Sequence, residues 1–198
     1  MKKLLVIGSV VVVGTIILTS WLLPGAFSAK GKPSELEVTM ARWVRHLAVP
    51  SHFADAKNPT EASPENLAEA LHHFADHCAN CHGNDGSGKT HMGPNFYPPV
   101  PDLRESVIQS MADGEIFYVI HYGVAFTGMP AWGDGQPEKD TESWKLVHFI
   151  RHLPKVTPDE IAQMKKLNPM TAQEREEQES LDRFFAGEDF EPPSEPHH

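Results

Sequence analysis

The two cysteines of the chain, Cys78 and Cys81, stand three positions apart, and His82 follows the second one directly. This Cys-x-x-Cys-His pattern is the attachment signal of c-type haem. Two thiols at this spacing on a helical turn can each add to a vinyl group of the porphyrin. The adjacent imidazole then lies under the iron as its proximal ligand. The pattern predicts one covalent haem c, with thioether bonds from Cys78 and Cys81 and iron coordination from His82.

Two other interpretations of the cysteine pair fit less well. A thioredoxin-like redox pair needs a strand–helix–strand context, and the sequence contains no alternating strand pattern of any length. A structural zinc site uses four nitrogen or sulfur ligands, and the pattern supplies three crowded ones. Haem attachment therefore remains the preferred interpretation.

A haem with one protein ligand leaves a sixth iron position. The best candidate is Met129 in "TGMPAWGDG", between Gly128 and Pro130, because a stiff turn can present a thioether to a planar cofactor. A methionine more often fills a core, and that alternative stays open. Rival ligands are Met92, His121 and His91.

The N-terminus predicts export of the chain. Lys2 and Lys3 precede a stretch of about 20 apolar or small residues, from Leu4 to Leu23, which is long enough to cross a bilayer. We expect residues 1–24 to be a transmembrane anchor, with the rest of the chain on the outer side. The competing interpretation is a signal peptide cleaved near Ala26-Phe27-Ser28.

The charge of the chain limits its partners. Its 198 residues hold 27 acidic against 17 basic side chains, a formal net charge of -10. Phosphate binding needs clustered Lys and Arg, so a nucleic-acid partner is not expected. An acidic surface instead favours a protein partner with a basic docking patch.

The remaining patterns predict an all-α protein in four parts. The anchor is followed by a linker at residues 25–62, a haem domain at residues 63–155, and an acidic helical extension with a disordered tail at residues 156–198. In the linker, an amphipathic helix is predicted after Ser34; it would pack on the haem domain or lie near the membrane surface. Helices are also predicted from Ser63 to Cys78, at Ser106–Met111, Asp113–Gly123 and Thr141–Leu153, and after the caps Thr157 and Thr171.

Four motifs together resemble the class I c-type cytochromes: "HCANCHG", "GPNFYPPVPDL", "DGEIFYVIHYGVAFTGMPAW" and "WKLVHFIRHLP". The resemblance covers Ser63 to Leu153, and more narrowly the arrangement is similar to membrane-anchored bacterial monohaem cytochromes. It implies that the first and last helices of the domain cross beside the haem. The residues at that crossing would be Ala70, Phe74, Trp144 and Phe149.

The resemblance also implies the surroundings and the function of the haem. The carbonyl of Pro94 would accept a hydrogen bond from the proximal imidazole. Tyr97 and Trp132 would reach the haem propionates or cover the porphyrin edge. The implied function is one-electron transfer between respiratory or other redox partners on the outer face of the cytoplasmic membrane, without enzymatic turnover. Alternatives are a haem sensor or ligand-binding regulator, a peroxidase-like enzyme, and a fixed subunit of an oxidoreductase complex.

Overall fold

A computed structural model describes residues 2–22 and 28–170, together with residues 174, 176, 177, 180, 181 and 183. All regular structure in these residues is helical, and they form no strand, which confirms the predicted all-α class. The predicted disordered tail, from Glu188 onward, lies outside the described residues.

Nine α-helices occur in residues 2–22 and 28–170. They are α1 (Lys2–Leu22), α2 (Glu35–Ala48), α3 (Ser51–Ala54), α4 (Pro64–His73), α5 (Ala79–His82), α6 (Ser106–Gln109), α7 (Asp113–Tyr122), α8 (Thr141–His152) and α9 (Pro158–Leu167). A π-helical turn, Phe74–Cys78, joins α4 to α5. Short 3₁₀ turns lie at Gly93–Asn95, Pro137–Lys139 and Leu153–Lys155.

The N-terminal apolar segment forms α1, a helix of 21 residues. Among the helices that the structure describes, none combines the length and the apolar character required to cross a bilayer. The transmembrane anchor predicted at residues 1–24 is therefore not supported by the structure.

Capping residues fix the helix starts that the sequence indicates. The Ser34 hydroxyl accepts from the Glu37 amide at 3.3 Å, and the Glu37 carboxylate accepts in return from the Ser34 amide at 2.7 Å. This reciprocal pair satisfies backbone donors that have no partner inside the helix. Ser63 caps α4 through the Asn66 amide at 3.1 Å, and Thr157 with Glu160 caps α9 in the same way as α2.

The core lies where α4 crosses α8. Ala70 is fully buried on α4, where a small side chain allows the two helices to approach closely. The rings of Phe74 and Phe149 meet with centroids 5.0 Å apart, and Trp144 stacks on Phe117 of α7 at 4.2 Å. The four residues expected at the crossing are therefore buried together, and α7 closes the third side of the core.

The packed core extends beyond residues 63–155 on both sides. Before that range, Phe53 packs on the core and stacks on Phe117 at 6.0 Å, and Asn58 donates to the Trp144 carbonyl at 2.8 Å. After it, Met164 of α9 is fully buried. Much of the predicted linker and the start of the C-terminal extension therefore help to hold the haem domain together.

Candidate haem-attachment site

The Cys-x-x-Cys-His motif occupies the end of the α4–α5 segment. Cys78 is the last residue of the π turn, and Cys81 and His82 complete α5. Gly83 ends the helix with φ +75° and donates to the Ala79 carbonyl at 2.7 Å. Because only glycine adopts this backbone conformation freely, the chain can turn sharply away directly after His82.

Both cysteines carry free thiols. Burial raises the pKa of Cys78 to about 12, with the neighbouring Cys81 acting in the same direction. Burial also raises the pKa of Cys81. The pair is thus neither a disulfide nor a set of activated thiolates of the kind that redox enzymes use. Two protonated, unpaired thiols are what thioether formation with vinyl groups requires.

His82 lies in a protected position beside the thiols. Its Nδ1 atom is buried and has no hydrogen-bond partner. Burial lowers the pKa of His82 to about 4, and the backbone carbonyl of Pro101 acts in the opposite direction. A buried imidazole that stays neutral at physiological pH keeps a lone pair available for a metal, and its unsatisfied nitrogen is the type of polar atom that a folded protein rarely leaves alone.

The carbonyl that acts on His82 belongs to Pro101, whereas the sequence resemblance had suggested Pro94. Pro94 lies in the exposed 3₁₀ turn Gly93–Asn95. Pro101 lies seven residues after Pro94. Close to it, the Leu103 amide donates to the Gly86 carbonyl at 2.8 Å and joins this segment to the loop after the motif. "GPNFYPPVPDL" offers four prolines, and their order gives no indication of which carbonyl reaches the imidazole.

Met129 lies half-buried in a loop at residues 123–133, between α7 and the start of α8. Gly123 begins the loop with φ +68°, and a Cβ atom there would lie 2.6 Å from the Ala131 amide nitrogen. The Val124 amide donates to the Met129 carbonyl at 3.0 Å, and the Met129 amide donates to the Thr127 hydroxyl at 3.1 Å. The loop is therefore folded back on itself and holds the methionine in a defined turn.

A buried hydrogen-bonded pair of side chains fastens this loop to the domain. His121, at the end of α7, is 2% exposed, and its Nδ1 lies 2.5 Å from Asp140 Oδ2. The Gly133 amide donates to the His121 carbonyl at 3.0 Å, and a Cβ atom on Gly133 would meet the imidazole at 2.0 Å. Asp140 also caps α8 through the Ser143 amide at 2.9 Å.

The structure separates the candidate axial ligands by their environment. His121 is occupied by its pairing with Asp140. Met92 is 47% exposed, and His91 is also exposed, in the turn before Gly93. Met129 is the candidate that is half-buried and for which the structure shows no pairing of the kind that occupies His121.

Trp132 brings the Met129 loop to the motif. Its ring lies 5.2 Å from that of His77, the residue directly before Cys78. Gly128 lies against Phe96, since a Cβ atom on the glycine would come within 2.3 Å of that ring. Trp132 is 38% exposed, which places it at an edge of the domain. Tyr97 is directed elsewhere: its hydroxyl donates to Glu37 of α2 at 2.7 Å.

One comparison with known families bears on this geometry. The sequence model of the family described as "Cytochrome C oxidase, cbb3-type, subunit III" matches residues 65–150. The chain carries a c-type cytochrome domain. No curated protein matches the chain. The matched range runs from the first turn of α4 to the last turns of α8, and it contains the thiols, His82 and Met129.

The residues of the cytochrome domain fit a covalent haem. Two free thiols and a buried imidazole with an unsatisfied nitrogen are the groups that covalent attachment and proximal coordination of a haem would use, and a half-buried methionine lies in a fastened loop. In the described part of the chain, no group of three His, Cys, Asp or Glu side chains is arranged to hold a metal ion.

Proposed function

We propose that this chain is a monohaem electron carrier, with thioethers at Cys78 and Cys81, His82 as the proximal iron ligand and Met129 as the distal one. The observation that carries the proposal is the buried, unpartnered Nδ1 of His82 beside two free thiols. A haem bound there would supply a reversible one-electron change at its iron. With both axial positions filled by the protein, no substrate would be turned over at the metal.

The protein's own residues would limit the structural rearrangement that accompanies oxidation and reduction of the iron. The Pro101 carbonyl acts to raise the pKa of the His82 imidazole, which makes the ring nitrogen a more basic ligand. The His121–Asp140 pair and Trp132 hold the loop of Met129 against the domain. A distal thioether favours the reduced iron and raises the potential. A rigid pair of ligands lets oxidation and reduction proceed with little rearrangement of the chain.

The test is spectroscopic and uses two methionine variants. Mass spectrometry of the purified protein should show one haem per chain, and replacing either cysteine with serine should remove one thioether from its pyridine haemochrome spectrum. Met129→Ala should abolish the far-red methionine–iron band of the oxidised protein. Met92→Ala, the same change at an exposed methionine, should leave the band intact.

Carbon monoxide distinguishes the carrier from a sensor. A wild-type protein that lacks the far-red band and binds carbon monoxide readily would have an open iron, and the sensor or peroxidase-like alternatives would replace the carrier. Absence of haem from protein made in cells competent for haem attachment would overturn the proposal entirely.

A second candidate is a fixed cytochrome subunit of a larger oxidoreductase complex. It is favoured by the name of the matching family, which is that of an oxidase subunit. Extraction in mild detergent followed by size-exclusion chromatography separates the two candidates. A free carrier elutes alone, whereas a subunit elutes with stoichiometric partners that carry further redox centres.

We also propose that the haem domain works on the outer face of the cytoplasmic membrane. The proposal is supported by the lysines and apolar stretch at the N-terminus. Protease added to spheroplasts should digest the domain without lysis. N-terminal sequencing of the mature protein shows whether residues 1–24 are retained. Protection of the domain until lysis would contradict the outer location.

A further inference from the structure

Helix α2 has an apolar face that the protein leaves uncovered. Five side chains at intervals of three and four residues form it: Leu36, Met40, Trp43, Val44 and Leu47. This spacing places them on one side of a helix. Each is between 52% and 68% exposed. Five large apolar side chains in one continuous strip form the type of surface that soluble domains seldom leave in water.

The contacts of α2 with the cytochrome domain use its other sides. Glu37 accepts from the Tyr97 hydroxyl, and His46 Nδ1 lies 2.6 Å from Glu115 Oε1 of α7. The half-buried positions of the helix, Val38 and Arg45, lie roughly opposite Trp43 around the helix axis. A helix that belongs to a soluble core turns its apolar stripe inward. Helix α2 does the reverse, so its apolar face is directed at something outside the domain.

The charge around α2 indicates what that surface is. Lys30 and Lys32 precede the helix, and Arg42 and Arg45 lie on it, against the acidic Glu35 and Glu37. The Glu37 carboxylate is already engaged by the cap and by Tyr97. This basic segment belongs to a chain whose formal net charge is -10. A basic amphipathic helix with a tryptophan on its apolar face has the composition of helices that lie in the headgroup region of anionic membranes.

The path of the chain supports the same conclusion. Twelve residues separate α2 from α1, and the large apolar side chains of α1 that the structure describes between Val6 and Leu18 are exposed. Two successive helices therefore present apolar surfaces that the cytochrome domain does not cover. An apolar segment held at a lipid surface would bring α2 within reach of that surface.

We propose that the apolar face of α2 lies on the surface of a bilayer that contains anionic lipid. The helix lies in the plane of the interface and does not cross it. Trp43 and Leu47 enter the boundary between headgroups and acyl chains, while Glu37 and His46 hold the cytochrome domain on the opposite, aqueous side. This proposal is independent of the haem ligands and of the electron-transfer function.

The experiment measures hydrogen exchange of the α2 amides in the full chain. The haem-loaded protein is bound to vesicles of phosphatidylcholine with phosphatidylglycerol, and to vesicles of phosphatidylcholine alone. Reading the amides of residues 36–48 separates α2 from any binding that α1 contributes by itself. On the anionic vesicles we expect exchange at these amides to slow roughly tenfold, with α8 unchanged as an internal reference.

Two double variants make the test specific. Met40→Ser with Leu47→Ser removes two members of the apolar face, and the protection on anionic vesicles should be lost. Ala41→Ser with Ala48→Ser introduces the same two hydroxyls into the same helix away from the centre of that face, and the protection should remain. Because Met40 and Leu47 are exposed, the visible spectrum of the domain should be unchanged in both variants.

Three results would overturn the proposal. The first is equal exchange at α2 with and without anionic vesicles. The second is equal loss of protection in both double variants, which would show a general weakening of the helix. The third is protection that appears without vesicles and grows with protein concentration, which would assign the face to a second copy of the chain.

Discussion

The imidazole of His121 and the carboxylate of Asp140 form a buried pair 2.5 Å apart that joins the end of α7 to the start of α8. The chain between them contains Met129. Side-chain exposure is 1% for His121 and 9% for Asp140. The loop of Met129 is therefore held at its base by two residues that lie outside the loop itself.

Replacing His121 or Asp140 should lower the free energy of unfolding, and the two effects should not be additive. Removing one partner of a buried pair leaves the other without compensation, so we expect His121→Ala to lower the free energy of unfolding by about 3 kcal/mol. Asp140→Asn should also destabilise the protein. The double variant should lose less than the two single losses combined, with a coupling of about 1 to 3 kcal/mol, measured by urea unfolding. Strictly additive losses would show that the two side chains act separately.

The same pair predicts how stability depends on acid. Burial pushes the pKa of Asp140 upward, but hydrogen bonds from Ser143 and His121 outweigh burial, and the pKa is lowered overall. An aspartate in an unfolded chain titrates near pH 4, at about 3.9. The stabilisation from Asp140 is therefore complete above that pH, and it is lost as the pH falls through the lower pKa of the folded state.

The acid dependence is measured by comparing unfolding free energies from pH 7 downward. The gap between the wild type and Asp140→Asn should be constant above about pH 5 and should close below about pH 4. Asp134→Asn, at an exposed aspartate in the neighbouring loop, is the matched control and should show a smaller gap. A gap for Asp140→Asn that persists unchanged at pH 2 would contradict the lowered pKa.

Replacing a phenylalanine with alanine should destabilise the protein in the core but not on the surface. Phe149 is fully buried against Phe74, so Phe149→Ala should cost about 3 to 5 kcal/mol. Phe149→Ala should also reduce haem incorporation, because Phe149 packs on Phe74, the residue at which α4 leads into the haem motif. Phe126, on the Met129 loop, is completely exposed, and the same change there should shift stability by less than about 0.5 kcal/mol. Thermal unfolding and haem content measure both effects, and equal losses would contradict the observed packing.

Arg151 should not tolerate replacement by lysine. Its guanidinium donates to the Gln109 carbonyl at 2.6 Å, to the Met111 carbonyl at 2.5 Å and to Asp113 at 2.7 Å. An ammonium group keeps the charge but cannot reproduce the planar fork. We expect Arg151→Lys to lower the unfolding free energy by about 1.5 kcal/mol, while the exposed change Lys155→Arg leaves it unaltered. An unchanged midpoint for Arg151→Lys would show that charge alone suffices.

Because the surface is acidic, the rates at which small charged reagents oxidise the protein should depend on ionic strength. Oxidation of the reduced protein by a cationic cobalt(III)–phenanthroline complex should slow as ionic strength rises, because salt screens attraction to a negative surface. Oxidation by anionic ferricyanide should accelerate over the same range. Stopped-flow measurements provide both rates. Salt-independent rates for both reagents would remove the support for a partner with a basic docking patch.

The sequence predicted those features that local chemistry determines. The caps Ser34, Ser63 and Thr157 mark helix starts because the donors they satisfy lie three residues away. The haem motif is likewise contained in five consecutive residues. Such short-range patterns survive folding unchanged, since their partners are already adjacent in the chain.

Contacts between distant segments could not be predicted in this way. The pairing of His121 with Asp140, the docking of Phe53 on Phe117, and the action of Pro101 on His82 each depend on how loops return to the core. Helix α7 shows an intermediate case. Its predicted range begins at Asp113 and the helix does begin there, but the backbone donor before it, the Ala112 amide, is satisfied by Glu115 at 2.9 Å.

The π turn at Phe74–Cys78 changes the direction in which side chains leave the continuous helical segment from α4 to α5. A π turn accommodates one residue more than an α turn, so the chain after it is rotated relative to an uninterrupted helix. Side chains up to Phe74 are placed by the packing of α4 on α8, whereas the thiols and His82 follow the turn. A one-residue deletion that restored a regular α turn would therefore rotate the thiols and His82 together relative to α8.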